Sequence, residues 1–114
     1  MAQFSADSLM AEFGDEELVA ELAALMLEHA DAQLASVHAA IADGNAQALK
    51  SAAHKIKGGM STFGVPPVTD RALALENMGR AGTLEGAAAI ADELSVEVRA
   101  FCESARAWLA ARAA

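Results

Sequence analysis

Apolar residues in this chain return at steps of three and four, the period that buries one face of a helix. The longest run is Leu84, Ala87, Ala91, Leu94, Val98, Phe101, Ala105 and Trp108, about seven turns of near-unbroken three-four spacing. Leu18, Val19, Leu22, Leu25, Met26, Leu34, Val37 and Ile41 make a second run, and Leu49, Ala52, Ala53, Ile56, Met60 and Phe63 a third. Val68, Ala72, Leu75 and Gly79 make a shorter fourth. A sheet draws on β-branched and aromatic residues, and this chain, 54% hydrophobic but with no Tyr and only four Phe, is short of aromatics and rich in Ala and Leu.

The breaks between the runs carry helix punctuation. Ser5 can cap a short helix ending before Gly14, and Asp15 can cap a long one that Glu16 and Glu17 favour through the helix dipole. Gly44 and Asn45 read as a stop and a new cap, Gly64 as a terminator before Pro66, and Pro67 as the start of a third long helix ending near Ala81 and Gly82. Thr83 is placed to cap the last helix. The run from Leu84 would also suit a coiled-coil seam, but with three other amphipathic helices and short connections, internal burial is simpler. The expectation is an all-α fold, an antiparallel up-down four-helix bundle with a short extra N-terminal helix, residues 1–114 forming a single domain and a monomer.

A net charge of −8 disfavours nucleic acid and anionic membrane as partners. No stretch approaches the roughly 20 apolar residues of a membrane span, and the N-terminus lacks a basic segment followed by an apolar run. The single Cys102 permits no internal disulfide and lies on an apolar stripe, where a thiol acts as a small hydrophobe. A cytoplasmic protein fits these features. The charge is uneven, however. All three lysines, Lys50, Lys55 and Lys57, fall within eight residues around His54, and no Asp or Glu occurs between Asp43 and Asp70.

On the helix of Leu49 to Gly64, His54 points roughly 150° away from the centre of the apolar stripe, among Gln47, Lys50, Lys57, Gly58 and Ser61. Gly58 and Gly59 each cost a helix about 1 kcal/mol relative to Ala. Gly59 lies nearer the apolar side and suits close helix packing, whereas Gly58 projects outward one turn after His54 and leaves room for another molecule. His29 falls within the apolar stripe of its own helix and is expected to be partly buried, and His38 to be solvated. A metal site is disfavoured because no Cys or carboxylate stands one turn from His54 and Lys57 would repel a cation. A Ser-His hydrolase would need an orienting group and an oxyanion site beside Ser61, and neither is visible. Acceptance of a phosphoryl group suits the residues better, since imidazole is available as a neutral nucleophile near pH 7 and lysine supplies charge where phosphate oxygens arrive.

The run AAHKIKGGMSTFG resembles the motif of histidine-containing phosphotransfer domains, H-x-x-K-G with a second glycine six residues on, here His54, Lys57, Gly58 and Gly64. The KGG and TFG variant is similar to the phosphotransfer domain of chemotaxis histidine kinases. The resemblance spans nearly the whole chain. It implies that His54 is a phosphoacceptor that takes its group from a receiver aspartate or a kinase, including a hybrid histidine kinase, and passes it to a response-regulator receiver domain. Lys57 would sit by the phosphoryl oxygens, Gly58 would admit the receiver's loops, and Ser61, Gln47, Lys50 and Leu73 would line the docking face. In chemotaxis-type relatives a glutamate on the next helix hydrogen-bonds the imidazole. Glu76 matches that place by distance and by its LEN setting, its plainer reading being a surface glutamate. Arg80 is a second candidate for supporting the phosphoryl group. Lys55 directly after the histidine and the Pro66-Pro67 pair depart from the commoner pattern.

GNAQALKS and KGGMSTFG lack the glycine spacing and Lys-Ser/Thr ending of a P-loop, so the chain reads as a stoichiometric carrier with no ATP site, no metal and no cofactor of its own. Any magnesium would belong to the partner receiver. The rival reading is a binding module that docks a receiver through the same face without chemistry at His54.

Overall fold

The computed structural model describes residues 1–113, all helix and connection. Five helices follow one another: α1 (Ala6–Phe13), α2 (Glu16–Ala42), α3 (Ala46–Ser61), α4 (Pro66–Ala81) and α5 (Ala87–Ala113). Three of the four caps foreseen in the sequence form. Ser5 Oγ accepts from the Ser8 amide, Asp15 Oδ1 from those of Glu17 and Leu18, and Asn45 Oδ1 from that of Ala48, so each side chain satisfies a backbone donor left without a helical partner. Gly14 and Gly82 end α1 and α4 in the left-handed conformation, at φ 67° and 76°.

Helix α2 packs on α3 and α5, and α4 packs on the same two, so the chain goes round a square of four neighbouring helices. Contacts at both ends set the directions. The end of α5 meets the start of α2, where Arg112 pairs with Glu16 and Glu17, and the start of α5 meets the end of α2, where Ser95 lies 2.8 Å from His38. Helices α2 and α5 have 27 residues each against 16 for α3 and α4, so at one end the longer pair overhangs. Residues 1–5 and α1 cover that overhang. Phe4 is buried with its ring centroid 5.2–6.2 Å from those of Phe63, Phe101 and Trp108, and its amide donates to Ser104 Oγ. No helix among the described residues is long and apolar enough to cross a membrane.

Helix α3 buries Leu49, Ala53, Ile56 and Met60 as its spacing predicts, with Ala52 and Phe63 half-buried. Elsewhere the structure corrects the sequence reading. Helix α4 begins one residue earlier, at Pro66, where a missing N–H costs nothing in the first turn. Thr83 does not cap α5. Its amide bonds instead to the Met78 carbonyl and so closes α4, a turn at Leu84 to Ala87 follows, and Gly86 at φ 82° holds α5 off until Ala87. In α2 the inward positions are Val19, Ala23, Ala30, Leu34 and Val37, while Leu18 and Leu25 are exposed. The stripe is turned from the expected one because small alanines face the neighbouring helices and let them come close. His29 is therefore exposed and His38 half-buried, the reverse of the expectation.

Candidate functional site

His54 stands on the outer face of α3 with 66% of its side chain open to solvent. Across from it α4 presents Glu76, which is only 3% exposed. The two meet: Glu76 Oε2 lies 3.0 Å from His54 Nδ1. Lys57 Nζ stands 2.7 Å from Oε1 of the same carboxylate and forms an ion pair with it. Arg80, one turn along α4, donates from Nη2 to Oε2 at 3.1 Å and from Nη1 to Asn77 Oδ1 at 2.6 Å. One buried carboxylate thus gathers three basic side chains.

The Lys57 ammonium is the main cause that holds the Glu76 carboxyl below its ordinary value of 4.5; burial pulls the other way, and the bond from His54 adds to the lowering. Glu76 is therefore ionised at neutral pH. An ionised carboxylate can only accept, so in the neutral ring the proton sits on Nδ1 and the Nε2 lone pair is free. Nε2 makes no hydrogen bond among the described residues and faces water. A neutral imidazole held in one tautomer with its other nitrogen bare is a nucleophile aimed outward.

The structure brings His54, Lys57, Glu76 and Arg80 into one cluster. Gln47 and Lys50 lie two turns and one turn before His54, without a side-chain hydrogen bond to it. Ser61 Oγ donates to the Lys57 carbonyl, and Ser61 and Leu73 share a shallow cleft between α3 and α4 with Lys57 and Asp70. Leu73 is 42% exposed. A Cβ at Gly58 would meet nothing within 4 Å, so the space over it is open, as the outward reading requires. The same holds for Gly59, which is exposed and lines a groove against α2; its expected part in helix packing is not observed. Asn77, which steadies Arg80, was missed from sequence, since an Asn on a helix surface carries no signal of its own. No group of three His, Cys, Asp or Glu residues able to hold a metal occurs among the described residues.

A family model described as the Hpt domain matches residues 21–108, from within α2 to within α5, with His54 and Glu76 inside the match. The chain belongs to the Hpt domain family. Hpt domains are phosphocarriers of phosphorelays, working with receiver domains and kinases, and this chain is a histidine phosphotransfer protein of that kind. Its fold is similar to the crystal structure of histidine-containing phosphotransfer protein B (HptB) from Pseudomonas aeruginosa PAO1, with a TM-score of 0.80 and 29% identity, over 91% of this chain and 89% of that one. A comparison with curated proteins returns no match. The Hpt match leaves out α1 and residues 1–5, the part that covers the overhang of α2 and α5.

Proposed function

We propose that His54 is the phosphoacceptor of this Hpt domain and that transfer takes place at Nε2. The carrying observation is a ring open to solvent at Nε2 while a buried, ionised carboxylate holds Nδ1. The Nε2 lone pair attacks the phosphorus of an aspartyl phosphate on a receiver, the bond from phosphorus to the aspartyl oxygen breaks, and the aspartate leaves as a carboxylate. The ring keeps its Nδ1 proton throughout, and the positive charge it acquires is met by Glu76. Transfer to a second receiver runs the same step backwards.

Lys57 and Arg80 are the cations within reach of the incoming phosphoryl oxygens, and both are tied to Glu76 until the phosphoryl group arrives. Gly58 leaves the approach open, with Ser61, Leu73, Lys50 and Gln47 around it as the docking face for a response-regulator receiver or a hybrid kinase. Magnesium, where needed, is the receiver's. In this reading the protein is a monomeric cytoplasmic carrier of one domain, supplied with phosphate from outside because it has no ATP site.

The test is incubation with a phosphorylated receiver. Acid-labile, base-stable phosphate is expected on the wild type and absent from His54→Gln. Label that persists in His54→Gln removes the assignment, and receiver binding with no label on the wild type favours a docking module without chemistry.

A further inference from the structure

Seven of the eight glycines have room for a side chain or serve a left-handed turn, and Gly79 does neither. A Cβ at Gly79 would stand 2.6 Å from the Lys50 amide nitrogen, 2.7 Å from the Ala46 carbonyl oxygen and 2.9 Å from Lys50 Cα. Contacts under 3.0 Å essentially never occur for a real Cβ. All three neighbours are backbone of α3, so no side chain can turn aside. To reach ordinary contact at 3.4 Å the two helices must part by about 0.8 Å.

This close contact lies one turn from both halves of the bridge at the site. Glu76 is three residues before Gly79 on the same face of α4, and Lys50 is four residues before His54 on α3. A hydrogen bond of 3.0 Å between Glu76 and His54, lengthened by about 0.8 Å, passes out of range. We infer that Gly79 is a positioning residue for transfer: by letting the backbone of α4 rest on that of α3, it sets the reach at which Glu76 holds the His54 ring in its Nδ1–H form. The inference rests on His54 as phosphoacceptor, and its first readout needs no partner.

The experiment compares wild type, Gly79→Ala, Glu76→Asp and Gly59→Ala. Glu76→Asp withdraws the carboxylate by one methylene without touching the helix contact, and Gly59→Ala adds a Cβ where nothing stands within 4 Å. The ring ¹⁵N shifts of His54 report the tautomer, and the transfer rate from a phosphorylated receiver reports function. Wild type and Gly59→Ala should show a protonated Nδ1 and a bare Nε2. Gly79→Ala and Glu76→Asp should show averaged nitrogens and transfer slowed between about tenfold and about 10²-fold, the scale of a 1 Å misplacement. Trimethylamine N-oxide restores folding if Gly79→Ala lowers helix content, and the readings are then repeated.

Wild-type shifts and rate in Gly79→Ala overturn the inference while leaving the phosphoacceptor reading in place. Should Gly79→Ala stay unfolded, Glu76→Asp decides alone, and wild-type behaviour there shows that the spacing does not matter. A wild type that takes no phosphate while Gly79→Ala still shifts the tautomer overturns the functional reading and keeps the positioning role of Gly79.

Discussion

Two histidines in this bundle each reach across to a neighbouring helix, and only one does so to an anionic partner. His38 on α2 places Nε2 2.8 Å from the hydroxyl of buried Ser95 on α5, and its ring is half-buried. His54 on α3 places Nδ1 3.0 Å from the carboxylate of buried Glu76 on α4, and its ring is mostly open. A hydroxyl donates as readily as it accepts, so Ser95 fixes no tautomer, whereas an ionised carboxylate accepts only. An interhelical hydrogen bond orients a ring. An anionic partner also decides which nitrogen is left free.

The comparison breaks most visibly in the two ring deletions. His54→Gln should abolish phosphate uptake from a phosphorylated receiver, and His38→Gln should leave it intact; uptake lost in both would mean that exposure and tautomer are beside the point. Replacing the partners comes next. Glu76→Ala should slow transfer by about 10–100-fold, the range found when an orienting partner of a functional histidine is removed. Ser95→Ala should leave the rate alone and cost about 1 kcal/mol in urea unfolding, as loss of one hydrogen bond does.

A pH series separates the pairs further. The Glu76 carboxyl is held below its ordinary 4.5 in the folded protein, so its contribution to stability is present above that value and is lost as pH falls through the lower folded value. Urea midpoints should therefore drop more steeply on acidification in wild type than in Glu76→Gln, with Ser95→Ala following wild type; parallel curves for wild type and Glu76→Gln would remove the ion pair from the account. The smallest effect is at Gly59, where a Cβ meets no neighbour: Gly59→Ala should raise stability by about 1 kcal/mol with transfer unchanged.

What could be read from sequence was whatever rests on local periodicity and capping. The inward stripe of α3, and hence the outward His54, follows from Leu49, Ala53, Ile56 and Met60 alone, and Asp15 and Asn45 declare their caps. The rest depends on how closely helices approach, which a single chain does not spell out. Alanine is weakly apolar by count, yet Ala23 and Ala30 take the inward places of α2 that Leu18 and Leu25 seemed to claim, and the stripe's turn exchanged the settings of His29 and His38. Gly79 was legible as inward-facing, but its proximity to the α3 backbone was not. Phe4 precedes the first helix, where no period exists to reveal that it joins Phe63, Phe101 and Trp108. Glu76 stood on the helix expected of it, and only the packing of α3 against α4 buries it beneath Lys57 and Arg80.

The lysines near His54 have a consequence for encounter. Glu76 occupies Lys57 and Arg80, while Lys50 and Lys55 form no ion pair among the described residues. At 0.1 M salt, Coulomb forces between exposed groups fade over about 10 Å, far less than the molecule's 45 Å length. In saline of that strength, an arriving anion feels the basic ground next to the ring while the distant acidic surface is screened from it, and diluting the salt should bring that repulsion back.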